Sequence, residues 1–83
     1  MIMTIERTYS YDNEFDILYL NIGDYSPSIA DEIIDYVYVK KSDSTDEITQ
    51  IIIEDFSNFD IERLNNTEIA LLKKDIKRIK YSI

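Results

Sequence analysis

Apolar residues change their spacing once along this chain, near Phe59, and that change limits the fold to a sheet carrying a helix. Before it the pattern alternates. Ile5, Arg7, Tyr9 and Tyr11 share one side of the segment from Thr4 to Tyr11, which reads as a strand. Asp12-Asn13-Glu14 supplies a turn, and Ile17 to Ile22 reads as a second strand, with Leu18, Leu20 and Ile22 opposite Ile17, Tyr19 and Asn21. Gly23 to Ser28 is a loop holding the one Gly and the one Pro of the chain. The segment from Ile29 to Glu32 has no decisive pattern. Ile33 to Lys40 is predicted as a third strand, and Ile48 to Asp55 as a fourth, across a polar turn from Ser42 to Glu47. After Phe59, Ile69, Leu72, Ile76, Ile79 and Ile83 recur at spacings of 3, 4, 3 and 4, the seam of an amphipathic helix. Asn65 with Glu68 suggests a capping box at its start, and Ile61 with Leu64 a short helical turn before it.

The expected architecture is α+β: a four-stranded antiparallel sheet from two hairpins, with a C-terminal amphipathic helix packed across it. Residues 1–83 are expected to form one domain, the sheet within 4–59 and the helical segment within 60–83. The chain is 45% hydrophobic, enough to build a core. No targeting segment is visible, and the longest apolar run, Ile51-Ile52-Ile53, is too short to span a bilayer. A cytoplasmic location is the expectation.

Missing residue types narrow the chemistry. There is no Cys and no His, which excludes disulfides, thiolate nucleophiles, Cys-type zinc sites and imidazole general bases. One Gly cannot build a glycine-rich phosphate loop. No cofactor is expected, and enzymatic function is disfavoured. Asp12, Glu14 and Asp16 form the densest acidic cluster, which suits a hairpin turn better than a hard-cation or acid–base site.

Charge points to a partner. The net charge is −8, which repels phosphate backbones and disfavours direct nucleic-acid binding. It is unevenly placed: residues 1–62 hold 15 acidic and 3 basic side chains, and residues 63–83 hold 2 acidic and 6 basic. That split suggests either complementarity within the molecule or a basic partner for the acidic body. If Leu18, Leu20, Val37 and Val39 face inward, alternation places Ile17, Tyr19, Ile34, Tyr36, Tyr38, Ile48 and Ile52 on the opposite face. One helix covers one face only, so this second face is either an interface or the side the helix itself covers. Tyr19, Tyr36 and Tyr38, with the acidic residues Asp31, Glu32 and Asp35 beside a strand edge, are the candidate partner-binding set. Those charges also serve, in a plainer reading, to prevent edge pairing.

The stretch from Tyr11 to Leu20 resembles the opening of a bacterial family, domain of unknown function 2283. The resemblance lies in Tyr11, Asp12, Glu14, Asp16, Leu18 and Tyr19, in their order and spacing, and extends over roughly residues 4 to 59. The chain lacks the glycines that members carry before the third strand, and a Glu common in their last strand falls near Ile52. The resemblance implies a small β-rich fold and no established activity; the neighbourhood of some relatives to toxin genes implies an antitoxin role by association.

The functional expectation is a small acidic, non-enzymatic protein that inhibits or neutralises a basic, nucleic-acid-acting partner such as a nuclease or toxin. Antitoxin and phage-type (anti-CRISPR-like) inhibitor are its two forms. The alternative is a structural module that homo-oligomerises, a homodimer being the simplest case, without inhibitory action.

Overall fold

A computed structural model describes residues 8–23 and 27–83. It contains five strands, β1 (Thr8–Asp12), β2 (Ile17–Asn21), β3 (Ser28–Ile34), β4 (Val37–Ser42) and β5 (Ile48–Glu54). Three 3-10 turns follow, Phe56–Asn58, Ile61–Leu64 and Ala70–Leu72, and then the helix α1 (Lys73–Ser82). The strands make one antiparallel sheet in the order β1-β2-β5-β4-β3. The fold is therefore α+β, but with five strands rather than four.

The extra strand comes from the segment 28–42. Read as one strand from Ile33 to Lys40, it instead bends at Asp35-Tyr36 and forms a hairpin in which Ile34 pairs with Val37. The turn needs a left-handed residue, and Tyr36 takes it at φ 73° without the help of a Gly. The undecided stretch from Ile29 to Glu32 lies inside β3. The predicted start of the first strand, residues 4–7, lies outside the described residues.

The core lies on one side of the sheet. Leu18, Leu20, Val37, Val39, Ile51 and Ile53 are buried there, and register explains why: Leu18 pairs with Ile53, which pairs with Val37, while Leu20 pairs with Ile51, which pairs with Val39. Partners directly opposite one another share a face, so these six side chains form two rows across three strands. Phe56, Phe59, Leu64, Ile69, Leu72, Ile76 and Ile79 close over them.

This covering layer is only partly helical. Asn65 and Glu68 do not form the expected capping box: Asn65 ends the turn Ile61–Leu64, its side-chain amide donating to Glu62 and its carbonyl oxygen accepting from Lys73. Thr67 donates its hydroxyl to the Leu64 carbonyl. A Thr side chain that satisfies local backbone groups competes with helix formation, and Asn65 is engaged with Glu62 and Lys73, so α1 begins only at Lys73, behind Leu72 and with no side-chain cap. The expected seam still faces the sheet, since Ile69, Leu72, Ile76 and Ile79 are buried; Ile83, its predicted last member, is exposed. Among the described residues no helix is long and apolar enough to cross a membrane.

Candidate interaction face of the sheet

Two bulges decide what the other side of the sheet presents. Glu32 pairs with Tyr38 but Ile34 pairs with Val37, so Ile33 is an extra residue in β3. Lys40 pairs with Gln50 but Lys41 pairs with Ile48, so Thr49 is an extra residue in β5. An extra residue reverses the alternation beyond it. Ile34 and Ile48, both expected on the second face, therefore pack against the core. The second face is less apolar than strict alternation predicts.

What remains is a patch with an aromatic centre. One row across all five strands reads Ser10, Tyr19, Ile52, Tyr38 and Glu32. The row beside it carries Ile17 and Glu54, at the end of the sheet that also holds the β1–β2 turn. The row on the other side carries Thr8, Asn21, Gln50, Lys40 and Ala30. There Gln50 donates to the Asn21 side-chain oxygen at 2.8 Å, and Asn21 donates to Thr8 at 3.2 Å. Ile17, Tyr19, Tyr38 and Ile52 are all half-buried, and every member of the core cluster lies on the other side of the sheet or in the layer that covers it.

The electrostatics of this patch centre on Tyr38. The Glu54 carboxylate, by hydrogen bonding, and the Glu32 charge raise its hydroxyl above the ordinary tyrosine value of 10.0. Glu32, Tyr38 and Glu54 come from three adjacent strands, so a phenol ring stands between two carboxylates. Such a site suits a cation: the ring offers its face and the carboxylates offer charge.

The structure divides the candidate set. Tyr19, Tyr38 and Glu32 share one row of the second face. Asp31 does not join them, because it pairs with Val39 and so lies on the helix side of the edge strand, exposed, where its charge helps raise the pKa of Lys41. Tyr36 and Asp35 are exposed in the β3–β4 turn rather than on a sheet face. Glu54 was not among the candidates. Its signal lay in the sequence as a carboxylate two residues beyond Ile52, on the same side of β5.

The acidic cluster of the first turn makes hydrogen bonds within the turn and, through Asp16, to the segment after β5. Asp12 accepts from the backbone N–H groups of Glu14 and Phe15. Asp16, at φ 56°, accepts from the Tyr11 hydroxyl at 2.5 Å and from the Ser57 hydroxyl at 2.6 Å and N–H at 3.0 Å. Burial works against its charge, but the bonds from Ser57 and Tyr11 prevail and hold its pKa below the ordinary 3.8. Among the described residues no group of three or more side chains is arranged to hold a metal ion.

A cleft of about 450 Å³ opens between the Ile61–Leu64 turn and α1, lined by Phe59, Ile61, Tyr81 and the opposed charges of Asp60, Glu62, Lys77 and Lys80. Lys80 donates to the Phe59 carbonyl there, and Lys73 pairs with Glu62 beside it, so these two lysines hold the helix to the preceding turn. No family model matches the chain, and no curated protein or solved structure matches it.

Proposed function

We propose that this chain is a small acidic, non-enzymatic interaction protein that uses the open face of its sheet to bind and inhibit a basic, nucleic-acid-acting protein in the cytoplasm. The observation that carries the reading is the placement of Tyr38 between Glu32 and Glu54, in line with Ile52 and Tyr19. An aromatic and aliphatic centre with carboxylates at its border suits Lys and Arg side chains of a partner. The net charge of −8 steers such a partner towards the molecule and a nucleic acid away from it. An antitoxin and an inhibitor of a nuclease-based defence system share this chemistry and are the two forms the reading takes.

The test is a paired capture from the native host, with the wild-type chain and a Tyr19→Ser/Tyr38→Ser variant as baits. The wild type should retain a basic nucleic-acid-acting protein and the variant should lose it, with an unchanged far-ultraviolet spectrum. The purified partner should lose cleavage or nucleic-acid binding when the wild-type chain is added. If the chain captures only itself, the inhibitor reading fails and a structural homo-oligomer takes its place.

A further inference from the structure

The solvent side of α1 mirrors the open sheet face in charge. Ile76 and Ile79 point to the core, and the residues half a turn away, Lys74, Lys77, Arg78 and Tyr81, are exposed. Tyr81 is 81% exposed, and Leu71, just before the helix, is 94% exposed. This is an aliphatic and aromatic stripe interrupted by three cations. The open sheet face is an aliphatic and aromatic patch bordered by carboxylates. The two surfaces lie on opposite sides of the molecule, with the sheet and the core between them, so they cannot meet within one chain. The uneven charge of the sequence is thus not neutralised internally along this face.

We infer that the open sheet face of one copy docks the solvent side of α1 of a second copy, head to tail, and that a basic partner binds by displacing that helix. The displacement step rests on the function proposed above; the self-association does not. Dimensions agree. The ten residue steps from Leu71, in the last 3-10 turn, to Tyr81 of α1 span ~15 Å, and the row from Tyr19 to Glu32 crosses three strand spacings, also ~15 Å. A helix carrying Lys74 and Arg78 one turn apart can bring them to Glu32 and Glu54 while Tyr81 or Leu71 covers Ile52 and Tyr19. Like net charges oppose the encounter, but at physiological ionic strength they are screened beyond ~8 Å, which leaves the contact charges to decide. Because donor and acceptor surfaces differ, the contact is heterologous and does not close at a dimer.

Sedimentation velocity on the full chain separates the possibilities. Wild type should grow past dimer as concentration rises at ~0.15 M salt and return to monomer near 1 M, as screening removes the contact charges. Glu32→Gln/Glu54→Gln and Lys74→Gln/Arg78→Gln should each weaken association by roughly tenfold or more. A one-to-one mixture of the two variants should recover a dimer and nothing larger, since each supplies the surface that the other lacks. Thermal unfolding checks that both variants are folded, which is expected of exposed charges. A monomeric wild type at all concentrations overturns the inference. So does self-association that survives Lys74→Gln/Arg78→Gln, because that result means sheet-to-sheet pairing. Failure here leaves the proposed inhibitor function standing if Glu32→Gln/Glu54→Gln still loses a foreign basic partner. If both inferences hold, Lys74→Gln/Arg78→Gln binds that partner more tightly than wild type.

Discussion

The two faces of the sheet are built from the same strands, one residue apart, and differ in nearly every property. On the covered face two rows are aliphatic across the three central strands, ending in Tyr11 and Ile34 and in Tyr9 and Asp31, and are closed over by Phe56, Phe59 and α1. On the open face the corresponding row alternates Tyr and Ile and ends in Ser10 and Glu32. The covered face is where burial stabilises the fold. The open face combines apolar area with charge, which adds little to a monomer and much to an interface. The two bulges sharpen this division, since each moves one isoleucine, Ile34 or Ile48, from the open side to the core.

Neighbouring isoleucines of β5 give the strongest test of the division. Ile53 is fully buried between Leu18 and Val37, while Ile52 is half-buried between the two tyrosines. Ile53→Ala should cost about 3 kcal/mol, lost transfer energy plus an unfilled cavity. Ile52→Ala should cost about 1 kcal/mol or less. Against a total near 0.1 kcal/mol per residue, roughly 8 kcal/mol, the first is a large share. Urea denaturation of both variants decides it. Equal losses would mean that something covers the second face in the monomer.

Asp16 ties the β1–β2 turn to the 3-10 turn after β5 and comes next in size. Its carboxylate links Tyr11 of β1 to Ser57 beyond β5, and its backbone carbonyl accepts from Phe56. Asp16→Asn keeps a residue that tolerates φ 56° but removes the charge from these bonds, at a cost of about 1 kcal/mol. The pH dependence has a definite sign. Because its folded pKa lies below 3.8, the stabilisation from the charged form is complete above that value and is lost as pH falls through the folded pKa. Wild type and Asp16→Asn should therefore differ at pH 6 and converge in strong acid. A constant difference across that range would assign the effect to packing rather than to the carboxylate.

The sequence carries the covered face more legibly than the open one, for a physical reason. Burial selects for apolar side chains at period two and at 3.6, so Leu18, Leu20, Val37, Val39 and the seam from Ile69 to Ile79 can be read off directly. The β3–β4 turn was hidden because its left-handed position holds Tyr36, a residue that alternation assigns to a strand. The bulges at Ile33 and Thr49 were hidden because nothing in either residue marks it as the extra one. Each conceals a change of parity, and with it the side of the sheet that Ile34 and Ile48 take. The start of α1 was hidden because Asn65 and Glu68 have capping spacing but spend their side chains on Glu62, Lys73 and Lys41.

Tyr36 offers a smaller effect of the opposite sign. A bulky residue at φ 73° carries backbone strain that glycine does not, and Tyr36 is 49% exposed. Tyr36→Gly should stabilise the fold by about 0.5 kcal/mol, the relief of strain partly offset by the entropy of a freer unfolded chain. If Tyr36 also touches the basic partner at the end of the open face, the same variant will be more stable and bind less well. Thermal melts together with binding to the captured partner read both. A lower melting temperature would show that the ring holds the turn in place, and would return Tyr36 to the structural residues.

The smallest effect belongs to the ion pair at the edge of the covered face. Lys41 of β4 reaches Glu68, ahead of α1, at 2.9 Å, and Glu68 raises the Lys41 pKa above its ordinary 10.5. Both side chains remain substantially exposed, so solvent and salt screen the pair. Glu68→Gln should leave the melting temperature at neutral pH unchanged to within about 2 °C. The sign again fixes where any difference appears. A raised lysine pKa contributes stability fully below 10.5 and loses it as pH rises through the folded value, so the two proteins should become indistinguishable in strong alkali. A large loss at neutral pH would mean that charge, and not only aliphatic burial, holds the helical layer on the sheet. The contrast between an apolar covered face and an electrostatic open face would then fail at its own edge.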